Sequence, residues 1–372
     1  MKLAMKNGTS LYLDIVRFSA ALVVFLEHLR AHTKHGFAAF WRLHSFWRDY
    51  LNPLSLTAVM VFFVLSGYVI AHVLATREKT PLDYAASRFA RLYSVVLPAL
   101  LLTAVANYLL ALKYPHAFDS YGAPGAMFLD YVGTALFTSH FWLWSDLEPA
   151  NAPFWSLSFE AAFYVGIALI VFVRGRARVL SLFALCLIAG PTMLLLAPTW
   201  LIGYGVYHAS QRRQLSAPLA IMLWLASSAL LFLCPLIEIH FRQPIELLRM
   251  PDATLGGLLA SYAAALCFAA NIFTFNAFAE GAEIVLRPFT NAIRWLGSLT
   301  FALYLFHEPL LSVITVYSVG VPSSALKMFA SVGVVFFIVA TLGRTCELSK
   351  GAYKKWFLRT WHRAMPRAAD AG

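Results

Sequence analysis

Apolar runs recur from one end of this chain to the other. Each has the length, about 20 residues, that an α-helix needs to cross ~30 Å of hydrocarbon. Composition agrees: 60% of the 372 residues are hydrophobic and only 13% are charged, whereas soluble domains carry roughly a quarter. A closed barrel would show short alternating segments instead, and none are visible. The expected fold is therefore all-α, a polytopic integral membrane protein. The N-terminal run follows Lys2 and Lys6 in the manner of a signal peptide. It carries Asp14 and Arg17 and lacks an A-x-A cleavage site, so it reads as a retained first span. Cys186, Cys234, Cys267 and Cys346 are scattered through apolar segments, with neither metal spacing nor a disulfide framework.

Ten spans can be drawn: 11–31, 54–75, 88–110, 155–173, 179–196, 198–210, 217–238, 254–275, 295–317 and 324–343. The segment 126–144 is also apolar, but its aromatics and Asp130 suit an interfacial or re-entrant helix. Charge arbitrates. With ten spans and the N-terminus inside, twenty of the 29 Lys and Arg fall inside and eight outside, with Arg17 within a span. Making 126–144 a span would move the RGRAR run at 174–178 outside. The positive-inside rule thus favours ten transmembrane helices, both termini cytoplasmic, and an outer loop from 111 to 154. The sixth span, short and glycine-rich, has to be shielded or broken. The net charge of +11 belongs to inner loops and a basic, Trp-bearing tail at the membrane surface; it does not point to nucleic acid.

Against this background LDIVRFSAALVVFLEHLR at 13–30 stands out, with Asp14, Arg17, Glu27 and His28 in one span. A charge inside the bilayer costs at least ~2.5–3.5 kcal/mol. Arg17 and His28 are eleven residues apart, about three turns, and share a face about 16 Å apart along the axis. Asp14 sits one turn below Arg17 and can pair with it. The plain reading is a structural ion pair plus a snorkelling histidine; three aligned polar groups favour a stripe facing a polar cavity. Arg88 and Arg91 lie one turn apart at the inner end of the third span, where they can serve as anchors or as a phosphate cradle. Ser156 and Glu160 are at i,i+4 near the start of the fourth span, and Glu160 reads equally as helix glue or as an acid/base group. His307 and Glu308 are neighbours in the ninth span, so both are not expected to face one cavity; Pro309 after them is expected to kink the helix. Guanidinium groups thus collect toward the inner side, and His28, Glu160 and His307 toward the outer half.

These stretches resemble membrane acyltransferase family 3, which includes O-antigen, Nod-factor and exopolysaccharide O-acetyltransferases. The resemblance rests on five elements in order: LDIVRFSAALVVFLEH, FFVLSG at 62–67 with Ser66, the Arg88/Arg91 pair, WSLSFE at 155–160, and GSLTFALYLFH at 297–307. Ala161, Ala162, Thr300 and Phe301 depart from the family pattern, as does Glu27 before the histidine. With the basic, Trp-bearing stretch at 346–372 read from its composition as an amphipathic cytoplasmic tail, the resemblance implies a transmembrane acyltransferase domain at 1–345. It also implies an inner-membrane location, an acyl-CoA co-substrate (read as acetyl-CoA), no bound cofactor and no metal. The acceptor would be a carbohydrate or glycolipid hydroxyl of an envelope or secreted glycan. His28 and Glu160 would be catalytic, with Glu160 or Glu27 orienting the imidazole. Arg17, Arg88 and Arg91 would serve the donor, and Asp14, Glu27, Ser66, Ser156 and His307 would support. His28 as general base and an acyl-histidine intermediate are equally compatible with the residues. The rival class is a transporter or flippase without acyl transfer, since intramembrane His and Glu also build proton relays; the paired halves common in transporters are not visible. Membrane lipids are the remaining partner, and oligomeric state stays open.

Overall fold

A computed structural model describes residues 5–33, 45–115, 124–142, 151–212, 215–241, 243, 254–318 and 325–364. The described part is all-α, with no strand. Its helices are α1 (Asn7–Thr33), α2 (Ser45–Thr76), α3 (Pro81–Lys113), α4 (Pro124–Ala135), α5 (Trp155–Phe172), α6 (Gly175–Ala189), α7 (Pro191–Arg212), α8 (Ala217–His240), α9 (Leu255–Leu286), α10 (Thr290–Tyr317) and α11 (Ala325–Ala364). Much of the expected outer loop, at 116–123 and 143–150, lies outside the described residues. So do Lys34, Arg42, Arg242 and Arg249 of the outer charges, and the tail beyond 364.

Length and composition mark seven stretches able to cross a membrane, eight if α6 and α7 count as one bent span. The chain is a multi-pass membrane protein. The count differs from ten in two places. The stretch Leu255–Tyr317 runs 63 residues and is counted once, although it holds α9 and α10 joined by the 3-10 turn Arg287–Phe289. Contacts with α1 show opposite directions for the two. Lys6, Thr9 and Tyr12 meet Glu280, Asn276 and Asn271 in descending order, while Ser10, His28 and His32 meet Arg294, His307 and Thr315 in ascending order. So α9 runs antiparallel to α1, and α10 parallel to it. The second place is the break between α6 and α7, which bends the chain by 118°. It falls at Gly190, not near 197: Gly190 takes φ +85, which glycine tolerates, and Pro191 opens the next helix. Pro198 lies inside α7.

The weak sixth span is a full helix of 22 residues, and it is shielded. It crosses α2 so closely that a Cβ on Gly203 would come within 1.9 Å of the Val64 carbonyl oxygen, and one on Gly67 within 2.1 Å of that of Trp200. Glycine on both sides lets the backbones touch, as small residues do wherever membrane helices pack closely. Polar side chains add further links: Asn271 Nδ2 donates to Ser228 Oγ at 2.8 Å, and Tyr12 stacks on Phe275 with ring centroids 3.9 Å apart. Thr80 caps α3 by accepting from the Asp83 N–H, with Pro81 in the first turn. Outward, Leu101, Val105, Tyr108 and Leu112 form an exposed apolar stripe on α3, as a lipid-facing surface would.

The helix α4 has 12 residues, about 18 Å at ~1.5 Å per residue, too short to span. It dips along α3: Asn107 Nδ2 donates to Tyr131 Oη at 3.0 Å, and Tyr93 Oη donates to the Ala135 carbonyl at 2.9 Å. The chain turns at Phe137, with φ +60, and Ser139 meets Ser158 of α5 at 3.0 Å. At the other extreme, the 40 residues of α11 run unbroken across 345 and would extend ~60 Å, well beyond a bilayer core.

Candidate functional site

Two polar centres lie between the helices. The first forms where α1 and α10 run side by side. His28 Nδ1 lies 2.9 Å from His307 Nε2 and 2.7 Å from Glu308 Oε2. One turn further along α1, His32 Nε2 reaches Glu308 Oε1 at 3.0 Å. His307 is fully buried, and Phe25 packs edge-on to its ring at 5.9 Å between centroids. His28 keeps about a fifth of its side chain exposed. The expectation that His307 and Glu308 face different cavities fails. Adjacent helix residues diverge by about 100°, but His28 sits in the angle between them and both side chains turn inward to it.

Hydrogen-bond logic sets the tautomers of the neutral rings. His307 Nδ1 lies 2.7 Å from the Leu303 carbonyl, which only accepts, so Nδ1 carries the proton. In neutral His307 the other nitrogen, Nε2, must then accept, and His28 Nδ1 must donate. In neutral His28 the proton then sits on Nδ1, donated to His307 Nε2, with Glu308 Oε2 2.7 Å from the same nitrogen. The Nε2 of His28, which makes no hydrogen bond among the described residues, is left with a lone pair. A carboxylate beside one imidazole nitrogen and a basic lone pair on the other is the arrangement of a general base in hydrolytic triads. The donor atoms of His28, His307 and Glu308 also lie within 4.8 Å of one another, a spacing compatible with a divalent ion.

The second centre lies at the other end of α1. Arg17 Nη1 is 3.3 Å from Asp14 Oδ1, the pair that the i,i+3 spacing predicts. Asp14 also binds Arg294 of α10. Gly297 makes this possible: a Cβ there would come within 2.9 Å of the Asp14 side chain. Arg88 donates to Glu78 Oε1 at 2.8 Å, and its guanidinium lies over the rings of Tyr84 and Tyr164 at 5.4 and 5.5 Å. Arg91 lies within electrostatic reach of Tyr164, Arg17, Glu160 and Glu347. Glu160 accepts from Tyr164 and, at 3.1 Å, from Ser66. Arg17 Nε is buried without a hydrogen-bond partner. Arg17 and Arg91 thus lie within reach of each other, with Asp14, Glu160 and Glu347 around them.

Several expected placements change. Glu160 belongs with the arginines and does not touch His28. Glu27 is locked in a fork with Arg30 at 2.6 and 2.7 Å. Neither contacts the imidazole; Glu308 does, with Oε2 2.7 Å from His28 Nδ1. Ser156 joins α5 to α10 through the Tyr304 hydroxyl at 2.8 Å and is not part of the Glu160 group. Arg88 is engaged by Glu78 and two rings, and its Nε, like that of Arg17, is buried without a hydrogen-bond partner. Sequence reading missed His32, Tyr164 and Glu78. His32 was within reach of it, since i,i+4 from His28 places both on one face.

A family model described as an acyltransferase domain matches residues 10–344, most of the chain. The chain belongs to acyltransferase family 3. No curated protein and no solved structure matches it. Both polar centres of this membrane acyltransferase draw mainly on matched residues, and Glu347 lies just past them.

In this acyltransferase Asp14, with its side chain 14% exposed, holds two arginines at the α1–α10 contact. Asp14→Asn is expected to cost roughly 2 kcal/mol, between the values for exposed and buried pairs. The check is the apparent melting temperature of the purified protein, which should fall by several degrees; an unchanged melt would mean that the pair contributes nothing.

Proposed function

We propose that this protein transfers an acyl group, acetyl in the simplest case, from cytoplasmic acyl-CoA to a hydroxyl of a sugar in an envelope or secreted glycan. The observation that carries the reading is the His28 geometry: Nδ1 held as a donor between His307 and Glu308, and Nε2 left basic. The arginine end is the donor side. Phosphates of the carrier rest against Arg17 and Arg91, with Arg88 steadied by Glu78 to shape the cradle. The acyl thioester extends along the stripe of α1 toward His28, about 16 Å away. His28 Nε2 takes the proton of the acceptor hydroxyl as its oxygen attacks the thioester carbonyl carbon. The tetrahedral adduct collapses, the C–S bond breaks, and the departing thiolate takes the proton back from the imidazolium. The products are an ester and free coenzyme A. Glu308 and His307 keep the ring in the productive tautomer throughout.

The topology that fits this chemistry has ten crossings, counting α6, α7, α9 and α10 separately, with the arginine end and both termini in the cytoplasm. Supporting it are the opposite directions of α9 and α10 along α1, the sharp break at Gly190, and the basic bias of the inner segments. The membrane is then the inner, cytoplasmic one.

The test uses purified full-length protein in lipid nanodiscs, given acetyl-CoA and envelope glycan. Coenzyme A thiol release coupled to a gain of acetyl on the glycan is expected. Arg91→Gln should raise KM for acetyl-CoA by about tenfold or more, the loss of a charged hydrogen-bond partner. Movement of glycan without thiol release would make the protein a transporter. EDTA is expected to leave the rate unchanged; loss of activity restored by zinc would place a metal where the base is proposed.

A further inference from the structure

The polar cluster between α1 and α10 has a property that base catalysis does not use. His28 Nδ1, His307 Nε2 and a Glu308 carboxylate oxygen all lie within 4.8 Å of one another. Two imidazole nitrogens and a carboxylate oxygen are a ligand set that suits zinc and its neighbours in the first transition row. Two of the three ligands are already held from behind. His307 turns its Nδ1 to the Leu303 carbonyl at 2.7 Å, which leaves Nε2 as its coordinating nitrogen. Glu308 Oε1 lies 3.0 Å from His32 Nε2, and Oε2 faces His28. Outer hydrogen bonds of this kind fix the tautomer and direction of metal ligands. The present separations from His28 Nδ1, 2.9 Å to His307 and 2.7 Å to Glu308, are hydrogen-bond lengths. Ligands of a tetrahedral zinc ion stand about 3.3 Å apart. His28, the less buried of the two rings, therefore has to draw back by roughly half an ångström to admit the ion.

We propose that His28, His307 and Glu308 bind a divalent transition-metal ion, zinc in the first instance, and that the bound ion switches off the base. The inference rests on the reading of His28 as general base and adds a control to it. Coordination forms bonds from the metal to His28 Nδ1, His307 Nε2 and Glu308 Oε2, and it breaks the hydrogen bond between the two rings. A nitrogen that binds the ion cannot keep its proton, so the His28 proton leaves Nδ1 and returns from water to Nε2. No proton is gained or lost overall: His307 keeps its own on Nδ1, and Glu308 is a carboxylate in both states. His28 Nε2 then carries N–H where the metal-free enzyme has a lone pair, and the acceptor hydroxyl meets a donor in place of a base. The metal-free protein is the active form. The ion is a brake and not a cofactor, which agrees with the expected indifference of the rate to EDTA.

The experiment uses full-length protein without a polyhistidine tag, stripped with EDTA and placed in pure phosphatidylcholine nanodiscs. Cobalt(II) is the optical probe of the site and zinc the inhibitor, with acetyl gained by the glycan as the rate. Expected in wild type are visible d–d bands that saturate at about one cobalt per chain and are bleached by zinc. Saturating zinc should lower the rate by about tenfold or more, and EDTA should restore it. H307Q and E308Q should each bind cobalt about tenfold more weakly or worse, with size-exclusion profiles alongside. H307Q, which keeps part of its activity, should also lose its sensitivity to zinc. H208Q, which removes an exposed imidazole on α7, should bind as wild type does. Absence of the bands in wild type, or wild-type cobalt affinity in both H307Q and E308Q, would overturn the proposal. So would a rate raised by zinc, since the ion would then serve the chemistry. Metal bound through these ligands with full activity at saturation would keep the site and remove His28 as the base, an outcome distinct from the others.

Discussion

Replacing His28 with alanine is expected to lower kcat/KM by about 10²–10⁴-fold, the usual contribution of a positioned general base, while the protein still folds and inserts. The truncation leaves His307 Nε2 and Glu308 Oε2 without His28, but both side chains keep a second partner, Leu303 and His32. Glu308→Gln should lose a comparable factor for a different reason. The amide is nearly the same size but offers no charge, and its NH₂ group can present a donor to His28 Nδ1, favouring the tautomer in which Nε2 carries the proton. A base whose lone pair faces the wrong way does nothing for the acceptor hydroxyl. The measurement is steady-state acetyl transfer with size-exclusion profiles alongside. Wild-type turnover in His28→Ala would remove the imidazole from the mechanism. Wild-type turnover in Glu308→Gln with His28→Ala inactive would keep the base and discard its positioning partner. His307→Gln should fall between, since it loses the ring acceptor and leaves the carboxylate.

The second large effect concerns folding. Gly67→Val and Gly203→Leu are each expected to abolish recovery of folded protein. The added Cβ would meet a backbone carbonyl at 2.1 and 1.9 Å, and neither backbone can yield without separating α2 from α7. Ordinary overpacking costs about 1–3 kcal/mol because side chains give way; here there is no flexible atom to move. Gly205, two residues along α7, has open space where a Cβ would stand, with nothing within 4 Å. Gly205→Ala should be neutral or stabilising by up to about 1 kcal/mol, the helix propensity gained. Detergent-solubilised yield and thermal melts of the three variants decide this. Stable Gly203→Leu protein would mean that the two helices do not touch there.

How legible the site was depended on whether a relation lay within one helix or between helices. The Asp14–Arg17 pair and the shared face of Arg17 and His28 followed from helical periodicity. The partner of His28 did not. Glu308 was visible as a residue, but its adjacency to His307 argued against their meeting, because spacing along one helix does not say where a second helix will stand. Glu160 illustrates the reverse error: placed by depth with His28, it is drawn by Tyr164 and Ser66 to the arginines. The break at Gly190–Pro191 was legible in principle, as a glycine able to take positive φ next to a helix-opening proline, but hydropathy pulled the boundary toward Pro198. The 12-residue α4 was legible as other than a span because moving it across the membrane would have reversed the charge bias.

The sequence by itself determined that this protein is a helical membrane acyltransferase, because lipid demands long apolar helices and because the five motif elements stand in order. It also determined which ionisable groups share a face of α1, since that is a property of the helix alone. Only the tertiary structure decided what those groups do. The surroundings of His28 Nδ1 depend on an imidazole and a carboxylate supplied by α10, and the crossing of α2 and α7 depends on two glycines far apart in the chain. Both are contacts between helices, set by packing.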